Sequence, residues 1–504
     1  MVRLRDRVAG PFLFQGASMS AAAYSPTTEL TGDFDLLVIG GGIVGAGVAR
    51  DAALRNLRVA LCEKGDFAAG TSSRSTRLLH GGIRYLAQGR IKLVREANRE
   101  KSVVHRIAPH LSRAQPFVFP ATRGGSYPRW QLSIGVKIYD LLCGRDKLGR
   151  SRALGVEETL ALAPGLARKG LTGSARYFDG FTNDARLVID TLRSAVNHGA
   201  AVRNYVRFDH AESTSTGWIC SLTDELGQQE LQVRARCIVN AAGPWSDRIP
   251  GSQTSLRLTK GVHLVIDRQR LPIIEAVVSV QGERILFAIP WGERVILGTT
   301  DTDYSGPLEE PRCTLQDRDY VLDAINDSFP EAHLVATDVL TVWAGLRPLV
   351  ADRHGNPSDI SRRHKITAAG PGWWDVTGGK LTTHRLMAEE TIDRVVKHLG
   401  RVRVKCLTAQ LPLRENDQPA AGSGLTPPDV SEEVVLQACR DEWARRLDDV
   451  MLRRTGWGHY HREHRDIAAC VAKWMQPQLG WTDAEVAAER QRYLELTALP
   501  AAET

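Results

Sequence analysis

The stretch Asp35-Leu36-Leu37-Val38-Ile39-Gly40-Gly41-Gly42-Ile43-Val44-Gly45 decides the fold of this 504-residue chain. An apolar strand runs straight into glycines at Gly40, Gly42 and Gly45. A helical pattern follows from Ile43 to about Arg55, with the small residue Ala49 where a helix must lie close to a sheet. A second strand, Arg58 to Cys62, then ends at Glu63. Strand, glycine turn, helix, strand and terminal acid together make a complete dinucleotide-binding βαβ unit. Gly40 permits the tight turn, Gly42 lets the backbone approach a pyrophosphate, and Gly45 lets the helix pack on the strand. The pyrophosphate is expected at the helix N-terminus, where free N–H groups and the dipole favour negative charge. Glu63 is expected to accept hydrogen bonds from ribose hydroxyls.

Length and composition bound the rest. A chain of 504 residues is long enough for two or three domains. Its 43% hydrophobic and 24% charged residues are ordinary for a globular protein. No apolar run approaches the ~20 residues needed to span a bilayer. Cysteines fall at 62, 143, 220, 237, 313, 406, 439 and 470, with no C-x-x-C pair, so no zinc or iron–sulfur site is expected. Reduced structural thiols in a cytosolic compartment are the simplest reading. A net charge of +7 suits an anionic partner: a phosphorylated substrate, a membrane surface or nucleic acid. Nucleic acid is not expected, because no nucleic-acid-binding module is present. Residues 1–32 stand outside the fold pattern and are expected to form a disordered extension. Asp6 and the short apolar patch Pro11 to Phe14 argue against a secretory signal, leaving a targeting peptide or a true start at Met19.

Past Glu63 the chain reads Thr71-Ser72-Ser73-Arg74-Ser75-Thr76-Arg77-Leu78-Leu79-His80-Gly81-Gly82-Ile83-Arg84-Tyr85-Leu86. Hydroxyls and backbone N–H groups of Thr71, Ser72, Ser73, His80, Gly81 and Gly82 suit a flavin's phosphates and ring edge. This segment resembles the flavin-contacting loop of the FAD-dependent glycerol-3-phosphate dehydrogenases, within the glycine oxidase/D-amino-acid oxidase superfamily. The family usually has Lys where Arg77 stands. Further resemblance lies in Phe178 to Leu187, entering a helix that runs to about His198, and in Ile238 to Trp245, where Ala242 and Gly243 make a second flavin-phosphate turn. It continues through Lys260 to Val265, Ile289 to Asp303, Ala344 to Leu349 and the C-terminal flavin loop Thr377 to Arg385. In that loop Gly378, Gly379, Lys380, Leu381 and Thr382 are the expected flavin contacts. The resemblance covers roughly residues 33–400, and the tail from about 425 to 500 more loosely.

The fold it implies is α/β with an α+β cap. A Rossmann-like FAD-binding domain is assembled from residues 33–110, 175–250 and 335–400. Strand-rich segments 111–174 and 251–334 form an antiparallel-sheet substrate cap. A linker over 401–428 leads to a C-terminal helical domain at 429–500, read as a packing module without chemistry of its own.

The resemblance also implies a reaction: oxidation of sn-glycerol 3-phosphate to dihydroxyacetone phosphate, with hydride passing from C2 to flavin N5. Such a site must hold a dianionic phosphate and accept a hydroxyl proton. Arg84, Tyr85, Arg347 and Lys380 are the expected phosphate cradle, Arg through paired hydrogen bonds and Lys as a mobile point charge. His263, between apolar strand residues, reads either as a core histidine or as the substrate-contacting base. His80 is expected to position the flavin ring. His384 stands where relatives commonly have Tyr. The helix starting near Lys380 would point N–H groups at the flavin pyrimidine edge, where negative charge develops on reduction. No oxidase-type insertion, cysteine-rich tail or calcium loop is seen, so the resemblance implies the respiratory type among these relatives, with a membrane quinone expected as acceptor and peripheral contact expected with the inner face of the cytoplasmic membrane. A homodimer is left open, as are an oxidase of the same fold acting on an amine or hydroxy acid and a non-catalytic flavoprotein.

Overall fold

The computed structural model describes residues 30, 32–144, 147–281, 284–350, 364–402, 404–414 and 422–501. Of the expected N-terminal extension, all but Leu30 and Gly32 lies outside the described residues.

The opening βαβ unit forms as read. Strand β1 spans Asp33–Ile39, helix α1 Ile43–Leu54 and strand β2 Val59–Cys62. Leu36, Leu37, Val38 and Ile39 are all buried, because the sheet is covered on both faces. The sheet runs Lys365–Gly370, Trp373–Thr377, Gln229–Asn240, β1, β2, Ala201–Arg203. Its central strands are parallel, with Ile39 opposite Asn240 and Cys62. Helices α1, Asp184–Asn197 and His384–His398 bury apolar residues on one face, among them Ala49, Val188, Leu192, Met387 and Ile392. An antiparallel hairpin, Val206–Thr214 and Gly217–Asp224, continues from Gln229–Asn240.

The second sheet is mostly antiparallel. Its long strands are Ser112–Thr122, Leu171–Thr182, Leu256–Asp267 and Val339–Val350. Two of these cross the boundaries expected from sequence. Leu171–Thr182 spans the division near 175, and Val339–Val350 pairs with Leu256–Asp267 although the stretch 335–400 reads as flavin domain. A strand that carries a site residue must bridge sheet and site, so the two domains share strands. The segments read as strand-rich also hold helices Arg129–Cys143 and Leu315–Ser328, one packed on each side of the sheet.

The tail folds as helices Glu432–Asp441, Trp457–Tyr460, His464–Leu479 and Asp483–Leu496 around Val435, Met451, Trp457, Val471 and Tyr493. It is tied to the first domain by buried ion pairs. Arg454 grips Asp66 with two hydrogen bonds of 2.7 Å, and Arg186 reaches Glu442 at 2.5 and 2.8 Å. Neighbouring Arg453 shares Asp66, so the carboxylate stays ionised below the usual carboxylate range despite its burial.

Candidate functional site

A cavity of about 830 Å³ opens between the two sheets. One wall is the N-terminus of α1 with Ile43, Thr71 and Ser72. The opposite wall is the Gly379–Thr382 loop, and the second sheet closes it with His263, Thr299, Asp301 and Arg347.

The glycine turn behaves as its spacing requires. Gly40 has φ +107°, and a Cβ there would lie 2.7 Å from the Ala241 carbonyl oxygen. A Cβ on Gly45 would lie 1.9 Å from the Gly40 carbonyl oxygen, so this position packs helix on strand. Gly42 differs: a Cβ there meets only the Ser72 hydroxyl, at 3.2 Å. The space above Gly42 is therefore open to a ligand, at the N-terminus of a twelve-residue helix. Ser72 Oγ accepts the Ile43 amide at 3.0 Å, and Thr71 Oγ1 donates to the Leu346 carbonyl at 2.6 Å. Ser73 is buried behind them. Glu63 follows β2 directly, and its oxygens accept the amides of Gly41 and Gly65 at 2.7 and 2.9 Å. Each oxygen keeps acceptor capacity for a hydroxyl. Ala242 and Gly243 follow Gln229–Asn240 beside Gly40; the Ala242 amide is held by Asn240 Oδ1 at 3.2 Å.

The loops at His80 and Thr382 lock to each other. Thr382 Oγ1 accepts the His80 amide at 3.0 Å and donates to the His80 carbonyl at 3.3 Å. Gly81 donates its amide to the Tyr139 hydroxyl at 2.8 Å, and a Cβ there would strike Asn98 Oδ1 at 2.1 Å. Gly378 and Gly379 both have positive φ, 72° and 76°, and turn the chain so that Lys380 faces the cavity. Leu381–Thr383 forms a single 3₁₀ turn before the helix His384–His398 begins. Lys380 Nζ sits 4.2 Å above the ring of Tyr85, which is itself buried. Tyr85 thus lies behind the lysine rather than on the cavity wall. Arg84 opens a short helix, Arg84–Ala87, and its side chain lies outside the described residues.

On the second sheet the register brings the remaining residues together. His263 pairs with Trp343, Gly261 with Gly345, and Thr259 with Arg347. Alternate strand residues share a face, so His263, Trp343 and Arg347 point the same way across a glycine pair. A Cβ on Gly261 would lie 2.2 Å from Arg347 Nη2; only glycine leaves room for the guanidinium. Arg347 donates to Asp301 Oδ1 at 3.0 Å, Thr299 Oγ1 at 3.0 Å and the Thr300 carbonyl at 3.1 Å. His263 is buried, stacked on Trp343 with centroids 5.2 Å apart, and its Nε2 lies 2.8 Å from Thr76 Oγ1. Its Nδ1 has no hydrogen-bond partner among the described residues. Burial, and then the charges of Arg347 and Arg77, push its pKa down to about 3. The imidazole is neutral at physiological pH.

Several participants carry no role in the sequence reading: Asp301, Thr299, Gly261, Trp343 and Thr76. Asp301 and Thr299 sit in the Gly298-Thr299-Thr300-Asp301 run, where a hydroxyl-and-acid cluster after a strand is the available signal. Trp343 also touches the tail, its ring 5.0 Å from His459.

The open cradle over Gly42, the hydroxyl pair at Thr71 and Ser72, and a cavity running on to the Gly379–Thr382 loop fit an extended dinucleotide. Fold and site together define a dinucleotide-binding protein. The FAD dependent oxidoreductase family model (DAO) matches residues 35–394, and that for the C-terminal domain of alpha-glycerophosphate oxidase matches residues 370–486. More narrowly, the chain belongs to the FAD-dependent glycerol-3-phosphate dehydrogenase family. It is 40% identical over 378 residues, covering 73% of this chain and 68% of the relative, to an aerobic glycerol-3-phosphate dehydrogenase of Staphylococcus aureus strain MRSA252. It is 29% identical, with a TM-score of 0.76, to the crystal structure of the glycerol-3-phosphate dehydrogenase from Bacillus halodurans complexed with FAD, covering 94% of this chain and 96% of that one. Glycine oxidase from Geobacillus kaustophilus, 20% identical with a TM-score of 0.58 over 77% of this chain and all of that one (100%), shares the fold.

Proposed function

We propose that this chain oxidises sn-glycerol 3-phosphate at C2 to dihydroxyacetone phosphate and that its electrons pass to a membrane quinone. The observation that carries the reading is that Arg347, Lys380 and a neutral His263 line one cavity, which continues to the α1 N-terminus. Bound FAD supplies the hydride acceptor at its N5. Arg347 receives the substrate phosphate, which shares the guanidinium with Asp301. Lys380, held over Tyr85, adds the second positive charge. The contribution of Arg84 rests on the family resemblance.

His263 takes the hydroxyl proton in this reading. A base with a pKa near 3 is weak in the empty site, but Arg347 is one of the charges that weaken it. A phosphate dianion on Arg347 cancels that charge and strengthens the base as substrate binds. The neutral histidine is thus coupled to the group it must act beside. Gly40, Gly42, Gly45, Glu63, Thr71, Ser72, Ser73, His80, Gly81, Gly82, Ala242, Gly243, Gly378, Gly379, Lys380, Leu381 and Thr382 make the FAD cradle.

The quinone and the membrane belong to the same proposal. Among the described residues no helix is long and apolar enough to cross a membrane, so contact would be peripheral, on the inner face, aided by the +7 charge. Anaerobic bleaching of the bound FAD tests the substrate. Glycerol 3-phosphate should bleach it, whereas glycerol and glycine should not; equal bleaching by an unphosphorylated compound would refute the phosphate site. Turnover with a soluble quinone analogue should exceed turnover with oxygen by a wide margin, and the reverse would make the chain an oxidase.

A further inference from the structure

Helix Arg129–Cys143 is apolar on two faces. Leu132, Val136 and Tyr139 point inward and are buried against the second sheet. On the outside, Trp130, Ile134, Ile138 and Leu141 are 67, 51, 43 and 79% exposed. Their spacing of four, four and three residues sets them in a single stripe along the helix. Scattered exposed apolar residues need no explanation, but a continuous stripe ending in an exposed tryptophan does. The exposed charged residues of this helix and of helix Ile91–Ile107 are all basic; the acids are half-buried or buried, Glu96 and Glu100 on the second helix and Asp140 on the first, where it accepts from the Ser151 amide and hydroxyl at 2.8 and 2.6 Å. Lys137 is exposed between Ile134 and Ile138, and Arg129 is exposed at the helix N-terminus. The adjacent helix Ile91–Ile107 packs alongside, with Lys101 Nζ 3.9 Å from Cys143 Sγ, and exposes Lys92, Arg95 and Arg99.

We infer that this stripe is the surface by which the protein sits on an anionic lipid bilayer, with the helix lying in the interface plane. The inference rests on the membrane reading proposed above and assigns it a place. Apolar side chains enter the acyl boundary, tryptophan takes the interfacial level, and the basic residues meet lipid phosphates. A second copy of the chain is the poorer occupant. A twofold interface on this stripe would bring together the basic flanks of both copies, with no exposed acid on either helix to meet them. The placement also has a consequence. Tyr139, on the inner face of this helix, donates at 2.6 Å to Asp179, which lines the cavity. The docked helix therefore holds one wall of the redox site at the bilayer surface, where a lipid-soluble acceptor is found.

The FAD-loaded full chain is tested by flotation with vesicles of phosphatidylglycerol and phosphatidylcholine, and with phosphatidylcholine alone. Wild type should bind the anionic vesicles and be partly released by salt. The double variant Trp130→Ser/Leu141→Ser should reduce binding about tenfold or more. Lys137→Glu should also weaken binding, and the difference from wild type should shrink at high salt. Flavin reduction by glycerol 3-phosphate without vesicles should be unchanged in both variants. Wild-type-like binding by the double variant overturns this surface while leaving the membrane reading in place. Failure of wild type to bind either vesicle overturns both. A drop in oligomeric mass on substitution overturns the lipid occupant in favour of a second copy. Failure of the substrate reading would appear in the flavin reduction alone, with vesicle binding intact.

Discussion

Arg347 and His263 stand on neighbouring antiparallel strands with the glycine pair Gly261–Gly345 between them, and the charge of the arginine helps hold the histidine neutral. Neither residue is placed by its own neighbours in sequence. The strand register sets their spacing, and the missing side chain at Gly261 sets how the guanidinium lies. An anion arriving at one therefore changes the proton affinity of the other.

Arg347→Ala should raise KM strongly and lower kcat/KM by a factor corresponding to about 2–4 kcal/mol, because a charge-assisted phosphate contact is lost. Arg347→Lys should recover part of this, since it restores charge without the fork. Steady-state kinetics on the two variants measure both effects. Unchanged kinetics in Arg347→Ala would leave the residue a tether for the 299–301 turn.

His263→Asn should lower kcat by roughly 10²–10³ while the protein stays yellow, the usual loss for a positioned base. In wild type, ring-labelled His263 should show no titration between pH 8 and 5, because its pKa lies near 3. Adding glycerol 3-phosphate should move that titration upward, as the dianion offsets Arg347. Nuclear magnetic resonance of the labelled imidazole reads both states, and a pKa near the ordinary histidine value in the free protein would contradict the coupling.

Gly42 and Gly45 should separate cofactor binding from folding. Gly42→Val should give a folded, colourless protein, since a Cβ there meets only the Ser72 hydroxyl at 3.2 Å and the added bulk points where the pyrophosphate must lie. Gly45→Val should fail to fold, since its Cβ would lie 1.9 Å from the Gly40 carbonyl oxygen. Circular dichroism and flavin absorbance distinguish the two. A yellow Gly42→Val protein would place the dinucleotide elsewhere.

These contrasts show which features sequence carries. The βαβ unit was legible because local rules agree: buried strand, glycine turn and helix follow one another within 31 residues, from Asp33 to Glu63. Helix Arg129–Cys143 was not legible. With Leu132 and Val136 inward and Ile134 and Ile138 outward, its apolar residues lack the one-sided period that marks a helix. The share of Asp301 in the Arg347 network was hidden too, because an ion pair 46 residues apart depends on strand pairing rather than on local pattern. Tyr85 stood out in the motif but not its place, which the structure puts behind Lys380.

His384 offers a test of pH-dependent stability. It is buried, its Nδ1 lies 2.8 Å from the Leu381 carbonyl, and burial pushes its pKa from 6.5 down to about 4. The folded state therefore resists protonation that the unfolded chain accepts. Above pH 6.5 the histidine is neutral in both states and the full stability is present. As pH falls from 6.5 toward 4, the unfolded state gains a proton that the folded state lacks, and stability is lost. The drop from 6.5 to about 4 corresponds to about 3 kcal/mol at its limit. His384→Gln keeps a donor for the Leu381 carbonyl and removes the titration. At pH 8 the variant should match wild type or fall slightly below it, and on acidification toward pH 4.5 it should overtake wild type. Thermal unfolding of the FAD-loaded pair across this range measures the crossover, and parallel curves at every pH would show that His384 titrates normally.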